Sequence, residues 1–262
     1  METVAFKEYP CPAGAFPQKS YTILPDQHTL EAEALGAIIQ TLGEGHGSYA
    51  STPLYHTLAE AAQDLLSCAK PIDSQRIREY LAMAHELTSQ GKFVLYELSG
   101  PLSVLNCLLD TNALLRSFRK DKALLDEVLT SFRGALVSYV KLIVASGVKH
   151  ISIADPICSV YTIGPRAKEA YIKSHILPLL QEIKQATKGA VLIHLCPKLF
   201  LDLARTGLCR SKLLEVPAGY TYKQAYDISL GHTDLVGDVC ILRTADIVSG
   251  GSIETLIIPH AI

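Results

Sequence analysis

Short apolar runs alternate with long amphipathic segments along most of this chain, and few folds accommodate that alternation. The clearest case is the pair of runs at residues 93–98 and 150–155, which are rich in Val, Ile, Leu and Tyr. Residues 121–146 lie between them and carry apolar side chains at steps of three and four, as a half-buried helix does: Leu125, Val128, Leu129, Phe132, Leu136, Tyr139 and Ile143. Gly147 then follows as a candidate left-handed cap. This order predicts a βαβ unit with parallel strands.

Eight apolar runs can be counted along the chain, which is the number of strands in a closed (β/α)8 TIM-type barrel. They cover residues 3–9, 21–24, 93–98, 150–155, 190–195, 212–216, 236–242 and 255–259. Helices are predicted over residues 29–42, 58–66, 73–89, 103–106 leading toward 114, 121–146 and 165–187. The 262 residues contain no repeat, linker or charge block, so we expect one α/β-barrel domain over residues 1–262.

The composition limits the possible partners. The 24 basic and 26 acidic residues give a formal net charge of -2, without the basic excess that nucleic-acid binding needs. The mean hydropathy is +0.22, but the apolar runs stop well short of the roughly 18 residues of a membrane helix. The N-terminal METVAFKEYPCP lacks the apolar core of a signal peptide, and the seven cysteines lack a disulfide-like spacing. We expect a cytoplasmic protein with a small-molecule ligand and no membrane partner.

Polar groups follow several of the predicted strands, at the end where a TIM-type barrel has its active site. His194 and Cys196 are two residues apart on one strand, so both side chains point to the same side and could bind one metal ion. A catalytic zinc site usually has three protein ligands, and Cys240 or His260 could supply the third. Packing is the alternative for the His-x-Cys pair, because free cysteines are among the most buried residues. Asp155 could be a catalytic carboxylate or could only help Pro156 to turn the chain.

Several segments resemble the methylcobamide:coenzyme M methyltransferases of the uroporphyrinogen decarboxylase superfamily. Residues 93–156 carry a Gly-Pro-Leu-Ser turn, a long helix and the strand ISIADP. LPDQHTLEAEALGA is similar to that group's PFCMTVEAEALGA, AVLIHLCPK to its ILHICG strand, and VGDVC to its GNV turn. These matches run in the same order from residue 24 to residue 240, whereas the N-terminal region is shorter than the family usually has. The resemblance implies a uroporphyrinogen decarboxylase-like barrel with a truncated N-terminal region.

The resemblance also implies an activity. In these enzymes zinc is bound by a His-x-Cys pair and a later Cys, and it activates a substrate thiol. His194 and Cys196 match the pair; the later Cys corresponds in type of turn to His260, and Cys240 offers the same atom at another strand end. The methyl group would come from methylcobalamin on a separate corrinoid protein, and the enzyme would be a monomer or homodimer.

The resemblance also implies roles for residues at the mouth of the barrel, where the carboxyl ends of the strands meet. Asp155 and His28 are the expected catalytic groups, and Tyr96, Ser99 and Gly100 are expected to shape the substrate pocket.

Two other functions fit the sequence. A corrinoid- or tetrapyrrole-binding accessory barrel could keep the shape without the metal. A tetrapyrrole decarboxylase would need basic residues around the mouth, for which Arg166, Lys198 and Arg243 are the late candidates. Glu31 and Glu33 are expected on the solvated first turn of a helix, where the helix dipole favours acidic side chains.

Overall fold

The structure is a computed structural model that describes residues 22–23, 27–41, 48–67, 71–243 and 245–259. A seven-stranded sheet forms its centre. In spatial order the strands are β1 (Thr22–Ile23), β4 (Val94–Ser99), β5 (His150–Ala154), β6 (Leu192–Leu195), β8 (Leu235–Val236), β9 (Ser252–Ile257) and β7 (Arg210–Glu215). A separate antiparallel hairpin consists of β2 (Ile38–Thr41) and β3 (Ser48–Thr52).

The first five strands of the sheet are parallel, and their register aligns the carboxyl ends of β4, β5 and β6. Ser99 on β4 pairs with Ala154 on β5, and Ile153 pairs with Leu195 on β6. The carboxyl ends of these three strands are therefore level, so that the residues that follow them meet at one edge. Strand β9 runs the other way, because it pairs antiparallel with both β8 and β7. The edge strand β7 therefore has the same direction as the first five strands.

The helices connect and cover the strands. Their bounds are α1 (Leu30–Ala34), α2 (Leu58–Ser67), α3 (Gln75–Ser89), α4 (Pro101–Leu108), α5 (Thr111–Lys120), α6 (Lys122–Ala145), α7 (Val160–Ile163), α8 (Pro165–Tyr171), α9 (Leu177–Thr187), α10 (Pro197–Arg205) and α11 (Tyr222–Ser229). Short 3-10 turns cover Gln27–Thr29, Ile241–Arg243 and Ser249–Gly251.

Helix α6 is the predicted long helix. It contacts α2, α4, α5 and α9, and its apolar stripe, including Leu129, Leu136 and Ile143, is buried. Among the described helices it is long and apolar enough to cross a membrane by length and composition. Its packing in the core accounts for the same composition, because the stripe faces other helices of this chain. Gly147 adopts a positive φ of 90° directly after it, as expected of a cap.

A π-helical turn, Ile172–Ile176, joins α8 to α9 within the segment predicted as one helix. Pro178 has no N–H to give to the carbonyl of Ser174 four residues earlier, which explains why the regular hydrogen-bond ladder breaks here. The guanidinium of Arg133 on α6 donates to the Ser174 carbonyl oxygen instead, at 3.4 Å. The break is therefore compensated from a neighbouring helix.

Several predicted elements need correction. The expected helix over residues 29–42 ends at Ala34, and the chain turns through Gly36, with a φ of 103°, into strand β2. The expected strand at 236–242 stops at Val236, and the strand predicted at 212–216 is the antiparallel, largely exposed edge strand β7. The strand predicted at 3–9 lies outside the described residues. Helices α7, α10 and α11 had no counterpart in the sequence prediction. The helix predicted from residues 103–106 toward 114 corresponds to two separate helices, α4 and the start of α5.

Alanine substitutions at two glycines are expected to change the stability in opposite directions. A Cβ on Gly237 would lie 2.5 Å from the carbonyl oxygen of Leu195 and 2.7 Å from Cβ of Phe200, whereas a Cβ on Gly134 in α6 would meet nothing within 4 Å. We expect Gly237→Ala to lower the free energy of unfolding by about 1–3 kcal/mol through overpacking. We expect Gly134→Ala to raise it by about 1 kcal/mol through helix propensity. Urea unfolding of both variants measures this, and the same sign in both would contradict the packing described here.

Candidate functional site

A cavity of about 640 Å³ lies where β4 and β5 end, and residues of the hairpin strand β3 form part of its wall. The described residues that line it are mostly small or polar: His28, Thr29, Tyr49, Ala50, Pro53, Glu97, Leu98, Ser99, Ser103, Asn106, Cys107, Leu109, Asp110, Thr111, Ser152, Ala154, Pro156 and Ile157. We call it the mouth pocket. Its position at the carboxyl ends of parallel strands is the place where barrels of this class bind their substrates.

The carboxylate of Asp155 anchors the wall of this pocket. It accepts hydrogen bonds from the backbone N–H of Leu102 and Ser103, at 3.3 and 2.8 Å, from the Ser103 hydroxyl at 2.6 Å, and from the Tyr171 hydroxyl at 2.7 Å. Burial raises the pKa of Asp155, and these bonds oppose the shift. Asp155 therefore holds the first turn of α4 to the end of β5 and to α8. A direct role in catalysis would require it to leave these donors.

Gly100 is needed for that arrangement. A Cβ at this position would lie 2.4 Å from Cβ and Cγ of Asp155, a distance that side chains do not tolerate. The residue caps α4, and its own N–H donates to the carbonyl of Ala154 at 2.8 Å. Gly100, predicted to shape the substrate pocket, thus lets α4 start against the buried carboxylate, and it is not itself among the described lining residues of the mouth pocket.

Ser99, predicted as a substrate-binding residue, and His28, predicted as a catalytic group, both line the mouth pocket. The Ser99 hydroxyl donates to the backbone carbonyl of His28 at 2.6 Å, which ties the end of β4 to the 3-10 turn before α1. Tyr96 does not line the pocket. It is fully buried, and its hydroxyl lies 2.7 Å from that of Tyr139 on α6. Burial raises the pKa of Tyr96 to about 12.

His194 is buried at the end of β6, and both of its ring nitrogens have protein partners. Nδ1 lies 3.0 Å from the Ser152 hydroxyl, and Nε2 lies 3.0 Å from the carbonyl oxygen of Val239. A carbonyl can only accept, so Nε2 carries the hydrogen and Nδ1 accepts from Ser152. Burial lowers the pKa of His194 to about 4, so the ring is neutral at physiological pH. Ser152 in turn lines the mouth pocket.

The other predicted metal ligands are Cys196, at the N-cap of α10, and Cys240, next to the Val239 carbonyl that binds His194; both are half-buried. His260 lies outside the described residues. Within the described residues no group of three or more His, Cys, Asp or Glu side chains could hold a metal ion. Because both nitrogens of His194 are also engaged, this part of the chain does not fit a zinc ion as it stands.

Glu31 is a buried acid that the sequence analysis placed in solvent. Its Oε1 accepts from the backbone N–H of Ser99 at 3.2 Å, while its Oε2 has no hydrogen-bond partner. Burial raises the pKa of Glu31 to about 8, so the carboxyl group is largely protonated at neutral pH. Only Glu33 meets the expectation of a surface acid, paired with Arg76 at 2.5 Å.

Signals for the overlooked residues were present in the sequence. Ser152 is the one polar residue between Ile151 and Ile153 in an apolar run, which is typical of a side chain that faces a barrel interior. Glu31 stands in the apolar stretch LEAEALGA, where a solvated helix would carry more charge. Neither signal by itself shows whether the side chain is buried or exposed.

The family model described as Uroporphyrinogen decarboxylase (URO-D) matches residues 21–239. The chain belongs to this family. The predicted superfamily and its TIM-barrel class are thereby confirmed, and within the described residues the strands form the mostly parallel part of such a fold as an open sheet.

A solved structure of a methyltransferase from Methanosarcina mazei is similar to this uroporphyrinogen decarboxylase family member. The TM-score is 0.52 and the sequence identity 21%, over 68% of this chain and 51% of that chain. The chain thus spans about half the length of that protein, and the likeness is one of fold. The sequence matches no curated protein.

The buried carboxyl group of Glu31 predicts a pH-dependent stability. The folded protein holds this proton up to about pH 8, whereas an ordinary glutamate releases it near pH 4.5. Between these values the native state binds more protons than the unfolded state, so the free energy of unfolding falls as the pH rises. We expect Glu31→Gln to remove this fall, worth at most about 1.4 kcal/mol per pH unit. Urea unfolding across this pH range measures the slope.

Glu33→Gln is the matched control, because Glu33 lies on the same helix but at its surface, and it should leave the slope unchanged. Equal slopes in the wild type and in Glu31→Gln would show that Glu31 is not the titrating group.

Proposed function

We propose that the mouth pocket binds a small thiol and that the chain transfers to it a methyl group from methylcobalamin, which a separate corrinoid protein carries. Family membership and the fold of the similar methyltransferase support an enzyme of this kind. The place of the pocket at the strand ends supports it as the substrate site. A cytoplasmic location and a monomeric or homodimeric state stay predictions.

The charge of the pocket lining is the observation that carries this proposal. The titratable groups along the described wall are His28, Tyr49, Glu97, Cys107 and Asp110, and no Lys or Arg is among the described lining residues. A tetrapyrrole with several carboxylates would need cations there, as the decarboxylase alternative requires. Arg166 lines a different cavity. The lining therefore favours methyl transfer to a small thiol over decarboxylation.

The proposed reaction forms one bond and breaks one. The sulfur of the thiol takes the methyl carbon, the cobalt–carbon bond breaks, and its electron pair stays on cobalt. The thiol proton must leave before or during this step, because the thiolate is the nucleophile. His28 and Glu97 line the pocket and are the groups of this chain that could accept the proton. Asp155 is already held by four donors.

The activity test uses the purified chain with methylcobalamin and coenzyme M, homocysteine or 2-mercaptoethanol. Methylated thiol is measured by mass spectrometry and loss of methylcobalamin by absorbance. We expect wild-type turnover, and we expect His28→Ala to lower the rate by about 100-fold at neutral pH, since general-base catalysis has that size. The gap should narrow at high pH, where more of the thiol is already ionised.

The matched control for that assay is His85→Ala, at an exposed position on α3 that does not line the pocket, which should keep the wild-type rate. No methylated thiol from the wild type with any of the three thiols would overturn the proposal and favour an accessory, corrinoid-binding barrel. A loss of the same size in both histidine variants would exclude His28 as the base.

The zinc hypothesis has its own test. It requires about one zinc ion per chain, with His194, Cys196 and either Cys240 or His260 as ligands, and it requires Nε2 of His194 to leave the Val239 carbonyl. On this hypothesis, plasma mass spectrometry should find the zinc in the wild type and lose it in both His194→Ala and Cys196→Ala. If the protein contains no zinc after reconstitution, the hypothesis fails and His194 is a hydrogen-bonded residue of the core. If zinc is present, comparing the zinc content of Cys240→Ser with that of His260→Ala identifies the third ligand.

A further inference from the structure

A second cavity, of about 1310 Å³, lies beside the mouth pocket, and Asp110 lines both. Helix α5, the first turns of α6 and the segment from Val160 to His175 form its walls. We call it the outer groove. It exceeds the roughly 300–1,000 Å³ of a typical small-molecule site, so a nucleotide-sized molecule has room in it.

Four exposed cations line the outer groove: Arg116, Arg119, Lys122 and Arg166. Within the described part of the chain, none of the four forms an ion pair or a hydrogen bond through its side chain. Two acids also line the groove: Asp126, which lies 3.1 Å from Nε2 of His175, and Asp110, which caps α5 by accepting from the N–H of Ala113. Four cations against two carboxylates leave the lining with an excess of two positive charges.

The start of α6 also lies in the outer groove. Lys122 is its first residue, where a cation is unfavourable because the N-terminus of a helix carries a partial positive charge. The N-cap residue Asp121 opposes that charge but forms no side-chain cap hydrogen bond, so the N–H groups of the first turn lack a cap. An anion in the groove would meet these N–H groups in addition to the cations.

The rest of the wall is suited to an organic body. Tyr161 is 79% exposed, and Phe118 and Leu115 line the same groove. The buried ring of His175, in the π-helical turn, also lines it, and its Nδ1 has no hydrogen-bond partner. π-Helical turns occur frequently at functional sites. Apolar and aromatic side chains therefore line the same groove as the four cations.

We propose that the outer groove binds an organic anion with an aromatic body and at least two phosphate or carboxylate groups. Arginine recognises both groups through paired N–H donors, and Arg116 and Arg119 are one helical turn apart on α5. The aromatic body packs on Tyr161 and Phe118. This site is independent of methyl transfer, because it is defined by residues that, apart from Asp110, do not line the mouth pocket.

Isothermal titration calorimetry at low salt tests the proposal with four probes: ATP, benzene-1,3,5-tricarboxylate, tripolyphosphate and adenosine. We expect ATP or the tricarboxylate to bind more tightly than tripolyphosphate or adenosine, and which of the two binds decides between phosphate and carboxylate. In Arg116→Gln/Arg166→Gln the Kd should rise at least tenfold. The matched control is Lys141→Gln/Arg210→Gln, which removes the same charge from exposed positions elsewhere and should leave the Kd within twofold.

A second measurement follows the Tm. ATP or the tricarboxylate should raise the Tm of the wild type more than that of Lys122→Gln, which lacks one cation of the groove. The proposal is overturned if neither probe binds, if the control pair weakens binding as much as the groove pair, or if the probes raise the Tm of Lys122→Gln as much as that of the wild type. Methyl transfer is assayed without these probes, so failure of either proposal leaves the other standing.

Discussion

The buried carboxylate of Asp155 is the interaction on which the mouth of this molecule depends. One side chain at the end of β5 accepts two backbone N–H groups of α4, a serine hydroxyl and the hydroxyl of Tyr171. A buried carboxylate without such donors would be costly, so the four bonds and the first turn of α4 stabilise each other. The close approach admits only glycine at position 100. The placement of α4, and with it Ser103 in the pocket wall, follows from this contact.

Several buried polar groups of this family member form their hydrogen bonds with the protein itself. His194 is neutral and bonded at both nitrogens, Tyr96 pairs with Tyr139, and Glu31 supports the backbone of Ser99. Burial shifts their pKa values away from the charged forms. Such perturbed groups are frequent near active sites, and they also shape a pocket without touching its ligand. The side chains that reach the mouth pocket are a different set, which includes Ser152.

The two cavities next to each other differ in charge. The mouth pocket has acidic and neutral lining groups, whereas the outer groove has four cations with no described acid paired to them. Asp110 lies between them and also caps α5, so the helix that carries Arg116 and Arg119 starts at the boundary. This difference in charge suits two different ligands, one in each cavity.

The sequence by itself determined the parallel core, because strands β4, β5 and β6 and helix α6 are marked by local apolar periodicity. It also determined the family, through motifs in fixed order, and the meeting of Ser99, Gly100, Asp155 and His194 near one edge. Only the tertiary structure decided which polar groups are buried. Glu31 meets Ser99 across 68 residues and His194 meets Val239 across 45, and no local pattern encodes such contacts. The hairpin and the antiparallel strands were decided in the same way, because strand pairing depends on distant partners.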